Sequence, residues 1–128
     1  FACGIVLHVH DLVDFVSKEA AQAGESAARY LAGAARGETI RLEGHNGVRY
    51  TVPQLLDPVH MADTVTVRFR VAQPRQNAAL CAYAGGRLLR RVPRRVLTPG
   101  EMEQFVLRRE EIPAGTQTIT FTVEEGAQ

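Results

Sequence analysis

The sequence has no tryptophan, two cysteines, one lysine and no run of 18 apolar residues. The last absence excludes a membrane-spanning helix. Cys3 and Cys81 have no Cys-x-x-Cys partner and are too few for the multi-bridge framework of a small secreted domain, so a reducing, cytoplasmic setting is predicted. Fifteen basic residues against fourteen acidic ones leave a net charge of +1, and no field of one sign marks nucleic acid or an anionic membrane as partner. Three Tyr and five Phe are the only aromatics, few platforms for stacking bases. Eleven glycines and six prolines in 128 residues are too few for a disordered or fibrous chain. What is present, 45% apolar and 23% charged residues, suits one compact domain or a small domain with an appendage. Lys18 apart, every basic residue is Arg, a uniform bias that reads as compositional habit rather than a binding device.

Two patterns organise the chain. From Val9 to Gly33 the positions Leu12, Val13, Val16, Ala20, Ala23, Ala27 and Leu31 recur at helical steps, predicting one amphipathic helix from about residue 10 to about residue 33. His10 or Asp11 supplies the start signal and Gly33 the stop. Small residues at Ala20, Ala21, Ala23, Gly24, Ala27 and Ala28 predict a tightly packed neighbour. After Gly37 the period becomes two. Val65, Val67, Phe69 and Val71 alternate with Thr64, Thr66, Arg68 and Arg70, and Ile119, Phe121 and Val123 alternate with Thr118, Thr120 and Thr122. Weaker strand signals lie at 39–42, 48–52, 78–84, 87–96 and 103–108, separated by Gly, Pro and Asn turns. The predicted class is α+β: an N-terminal long helix followed by an immunoglobulin-like antiparallel β-sandwich of about seven strands, divided into 1–36 and 37–128.

The opening of the chain sets the functional expectation. Phe1, Ala2, Cys3, Ile5, Val6, Leu7 and Val9 are as apolar as a strand inside a sheet, without neighbours in this chain to cover them. The chain starts on Phe, and FACGIVLHVHDLVDFV has no basic leader region or cleavage site, so a fragment of a longer protein is expected. FACG, VLHVHDLVDFVS and AGESAARYLAG, with VRYTVPQ, VRFRV and the PGEM of Pro99 to Met102, resemble the C-terminal part of FAD- and NAD(P)-dependent oxidoreductases of the pyridine nucleotide-disulfide oxidoreductase superfamily. That resemblance implies a last strand at FACG, an FAD loop and a helix completing an FAD domain, then a small C-terminal β-domain. It assigns cofactor contacts to Gly4, Ile5, His10, Asp11 and Leu12. Gly4 takes the place of a close-approach glycine, and His10, Asp11 and Leu12 that of the helix start aimed at the flavin. Ile5 departs from the pattern, because isoleucine cannot hydrogen-bond a ribityl hydroxyl. There is no Gly-x-Gly-x-x-Gly and no second dinucleotide fold. The chain alone is therefore expected to retain no FAD, to carry no catalytic residue and to be inactive. Its partners would be the remaining FAD and NAD(P) domains, and the isolated chain would self-associate through its apolar surface.

Rival signals are weaker. His8 and His10, at i and i+2, would share a strand face as metal-binding pairs do, with Asp11 or Asp14 to assist, but no clear third ligand follows and no metal is expected. The run Arg87, Arg90, Arg91, Arg94 and Arg95 divides between two faces around Pro93, which suits a charged edge strand better than a nucleic-acid surface. Cys3 reads as a small apolar residue rather than a redox thiol, and no Ser-His-Asp elbow occurs. The alternative to a flavoenzyme piece is a free-standing β-sandwich interaction module.

Overall fold

The computed structural model describes residues 1–34 and 37–126. The chain divides into two compact units, Phe1–Arg36 and Gly37–Gln128. Among the described residues one α-helix is followed by seven strands, an α+β arrangement.

In the first unit, helix α1 spans Val13–Leu31. It begins after the predicted start at residue 10. Leu12 is its cap, extended at φ −131° and ψ 142° and without a side-chain capping bond, and Asp14 stands in the first turn, where the positive helix end favours a carboxylate. The chain leaves the helix through Gly33 at φ +87°, with the Gly33 N–H bonded to the Tyr30 carbonyl. FACG forms no strand. A 3-10 turn occupies Gly4–Val6 instead, and the Leu7 N–H donates to the Gly4 carbonyl at 3.0 Å. A strand needs a neighbouring backbone to take up its polar groups, and among the described residues none pairs with Phe1–Gly4; a local turn satisfies some of them.

The opening segment folds back along α1. Phe1 packs edge-on against Tyr30 with ring centroids 5.7 Å apart, and the Gly4 N–H donates to Glu19 at 2.8 Å. The helix face this half-covers carries Phe15, Glu19, Ala23 and Ala27 at steps of four. Of the predicted stripe only Ala23 and Ala27 share it, while Leu12, Val13, Val16, Ala20 and Leu31 are exposed. The close neighbour expected along the small residues is not seen at Gly24, where an added Cβ would meet open space.

The second unit holds β1 (Ile40–Gly44), β2 (Leu55–Leu56), β3 (Thr64–Phe69), β4 (Arg75–Ala84), β5 (Arg87–Leu97), β6 (Glu103–Arg108) and β7 (Thr118–Glu125). Five strands form one sheet in the order β2-β1-β7-β4-β5, and β3 pairs with β6 in a second sheet. The expected alternation is realised in β3, where Val67 and Phe69 are buried, and in β7 at Ile119 and Phe121. Strand β4 lies between two neighbours and is buried on both faces from Ala78 to Ala82, so it reads as a continuous run of small and apolar residues. Its hairpin to β5 turns on Gly85 and Gly86, both at positive φ, as a two-residue turn between twisted strands requires.

Two features correct the sequence reading. Strands β1 and β7 run parallel, with Arg41 opposite Thr118 and Leu42 opposite Ile119, so the sheet is mixed rather than antiparallel. Only short hairpins force antiparallel pairing, and the long path between these two strands leaves their direction free. The candidate strand at 48–52 reduces to isolated bridges, Val48 with Val71 and Val52 with Arg68. Pro53, without an N–H, cannot extend that ladder, and the unforeseen β2 pairs with β1 just beyond it. The core gathers side chains from both sheets, with Phe121 of β7 against Phe105 of β6 and Phe69 of β3 at centroid distances of 5.4 and 5.9 Å.

Candidate functional site

Three donor groups converge in the first unit. The sequence presents His8 and His10 two residues apart, and the turn at Gly4–Val6 carries them onto the face of α1 that bears Glu19. His8 Nε2 and His10 Nε2 lie 3.1 Å from each other. Glu19 reaches His10 Nε2 through Oε2 at 3.0 Å and His8 Nε2 through Oε1 at 3.6 Å. The side chains are 2%, 0% and 11% exposed for His8, His10 and Glu19. The Glu19 carboxylate also accepts the Gly4 N–H, which fixes the loop to the helix. His10 Nδ1 is buried without a hydrogen-bond partner, so this imidazole is oriented from its Nε2 side, with the Phe15 ring nearby at 6.3 Å.

Burial pushes the Glu19 carboxyl up, but hydrogen bonds from His10 and from the Gly4 N–H, with the charges of His10 and His8 when protonated, outweigh it and hold the group below the ordinary carboxyl range. The cluster is thus a preformed anionic oxygen facing two imidazole nitrogens, able to share protons or hold a cation. Local sequence spacing exposed the His pair and missed Glu19. Its one signal was a lone acidic residue on the step-of-four face of Phe15, Ala23 and Ala27.

The residues that the resemblance assigned to a cofactor are placed as follows. Gly4 adopts φ +72°, and a Cβ there would meet nothing within 4 Å, so its backbone is open to close approach. Ile5 is strongly exposed. Asp11 and Leu12 precede the first turn of α1, whereas the His10 imidazole turns into the cluster with Glu19. Asp11 and Asp14 are not among the grouped donor atoms.

In the second unit several titratable groups are engaged with one another. His45 pairs with Glu43 and His60 with Asp57. The Tyr83 hydroxyl donates to Glu124 at 2.6 Å, which pushes Tyr83 up to about 12 and holds Glu124 down. Arg91 closes on Glu124 at 3.2 Å. Burial, with the Glu124 charge, raises the thiol of Cys81 and leaves it inert. The arginine run lies on β5, an edge strand, and Arg90, Arg91 and Arg94 pair with Glu111, Glu124 and Glu103. These arginines knit β5 to its surroundings. Both cysteines are free thiols, and among the described residues no helix is long and apolar enough to cross a membrane. No family model, curated protein or solved structure matches the chain.

Proposed function

We propose that this chain is the C-terminal part of a cytoplasmic FAD-dependent NAD(P)H oxidoreductase, inactive alone, contributing the helix that faces the flavin and a small immunoglobulin-like β-sandwich. The observation that supports it is an unfinished first unit. Helix α1 buries none of its residues, while Ile5, Val13 and Leu31 are 84%, 75% and 85% exposed and Val6, Val9 and Leu12 are exposed beside them. Helices of this length in globular proteins draw most of their stability from an apolar face packed against a body, and so broad a patch marks a surface built to be covered. The dinucleotide-binding domains of the same polypeptide are that cover; when they are absent, copies of the chain associate through the same face.

The residues fit FAD in part. Gly4, with its open Cα side, admits close approach, and the helix start after Leu12, which makes no side-chain capping bond, offers N–H groups and a positive end to negative charge on the flavin. Ile5 offers no hydrogen bond to a ribityl hydroxyl, so that contact falls to another residue. When bound, FAD supplies the hydride-accepting ring system; this chain contributes a wall and a helix end. The coding sequence directly upstream of Phe1 tests the reading. A strand, a Gly-x-Gly-x-x-Gly turn and a helix in the same frame are expected, and a start codon or an unrelated domain overturns it. The second outcome favours a free-standing interaction module, for which the complete core of the β unit speaks.

A further inference from the structure

We infer that His8, His10 and Glu19 form a binding site for one divalent transition-metal ion of the zinc class. The inference does not depend on the flavin reading. Around a tetrahedral ion bound at about 2.05 Å, neighbouring donor atoms stand about 3.3 Å apart. Here the two imidazole nitrogens stand 3.1 Å apart, Glu19 Oε2 lies 3.0 Å from His10 Nε2 and Glu19 Oε1 lies 3.6 Å from His8 Nε2, so both nitrogens and the carboxylate are gathered at the spacing that donors around one such ion require. Two imidazoles and one carboxylate are a donor set that suits zinc and its neighbours rather than calcium or magnesium, which prefer all-oxygen shells. Two neutral imidazoles aiming Nε2 lone pairs at one point repel unless a proton or a cation lies between them. The near-complete burial of both rings and of Glu19 makes that point a poor place for water alone.

The donors come from two segments, the turn-borne pair and the helix, nine and eleven residues apart in sequence. A bound ion would therefore pin the opening segment to α1 and hold Gly4 in its left-handed conformation beside the Glu19 carboxylate. Three protein ligands leave a fourth position for water or an outside donor, as in sites that keep an open coordination position. Binding requires neutral imidazoles and an ionised carboxylate, so any proton shared between the rings is released to solvent as the ion enters.

The test is uptake of Zn2+ by the full chain, measured by metal analysis after loading and dialysis, with Co2+ as a spectroscopic probe of coordination number. One equivalent per chain is expected, with the intense visible bands of a four-coordinate Co2+ site. Glu19→Gln preserves size and one acceptor oxygen while removing the charge, and should weaken Zn2+ binding at least about tenfold, a ligand loss being no milder than the outer-shell losses seen at such sites. His10→Ala should abolish stoichiometric uptake. The double variant His45→Ala, His60→Ala should bind like the parent, since those imidazoles belong to the other unit. Uptake well below one equivalent, equal affinity in Glu19→Gln, or loss of uptake in the His45, His60 variant overturns the assignment. If His10→Ala loses helical circular dichroism, the Glu19→Gln comparison decides alone.

Discussion

Replacing Phe121 by alanine tests whether the two sheets are stabilised through one shared core. Phe121 is fully buried on β7 and touches Phe105 of β6 and Phe69 of β3, the two strands of the second sheet. Truncating a buried phenylalanine costs about 3–5 kcal/mol through lost burial and the cavity left behind. A unit of roughly 90 residues has a stability of about 5–14 kcal/mol, so Phe121→Ala removes a large share of it. At about 4–8 °C per kcal/mol for a domain of this size, the thermal midpoint should fall by about 12–40 °C. Urea unfolding followed by far-ultraviolet circular dichroism gives the free energy. A double-mutant cycle with Phe105→Ala isolates the ring contact, for which a coupling of about 0.5–1.5 kcal/mol is expected from an edge-on aromatic pair. A loss below about 1 kcal/mol for Phe121→Ala, or strict additivity of the two substitutions, would refute the shared core.

Three further outcomes follow from particular residues. Because the Glu19 carboxyl is held below its ordinary range, its contribution to the first unit is complete above the unfolded carboxyl pKa of about 4.3 and is lost as pH falls through the lower folded value; an acid titration of helical signal should flatten in Glu19→Gln, and an unchanged profile would count against the cluster. Gly44→Ala would place a Cβ 2.7 Å from Val48 Cγ1 and 2.8 Å from the Val48 carbonyl oxygen, so it should cost about 1–3 kcal/mol in urea unfolding by overpacking; a neutral result would show that the turn yields freely. Val13→Glu with Leu31→Glu on the open helix face should leave the β unit's thermal midpoint unchanged and abolish self-association in size-exclusion chromatography, whereas a parent chain that runs as a strict monomer at high concentration would contradict the proposed use of that face.

The sequence carried the strands best where burial is one-sided. Val67 and Phe69, or Ile119 and Phe121, alternate with polar residues because one face meets the core and the other does not, and that period survives in any register. Strand β2, two residues long, is beneath any periodic signal, and the parallel partnership of β1 with β7 joins segments that only tertiary folding brings together. The helix was legible as a helix, but its inward face was not. Leu12, Val16 and Leu31 are the more hydrophobic residues, yet the opening segment meets the helix at Phe15 and Glu19 because the Gly4 N–H and two imidazoles find their acceptor there. The His8 and His10 pair was visible as a motif. Its third member was not, because a ligand set spanning a turn and a helix has no fixed spacing.

The position of β7 has a consequence for how the molecule is made. It comes after the six other described strands in sequence, yet it occupies the middle of the larger sheet, joined to β1 on one edge and to β4 on the other. During synthesis, everything up to Arg108 can emerge while β1 and β4 still lack the strand that separates them, and the nascent β unit waits with open hydrogen-bonding edges until residues 118–125 clear the ribosome. Closure is therefore late and non-local, the kind of pairing that slows folding. Loss of even a short stretch of β7 would be felt in the middle of the sheet rather than at a fraying margin.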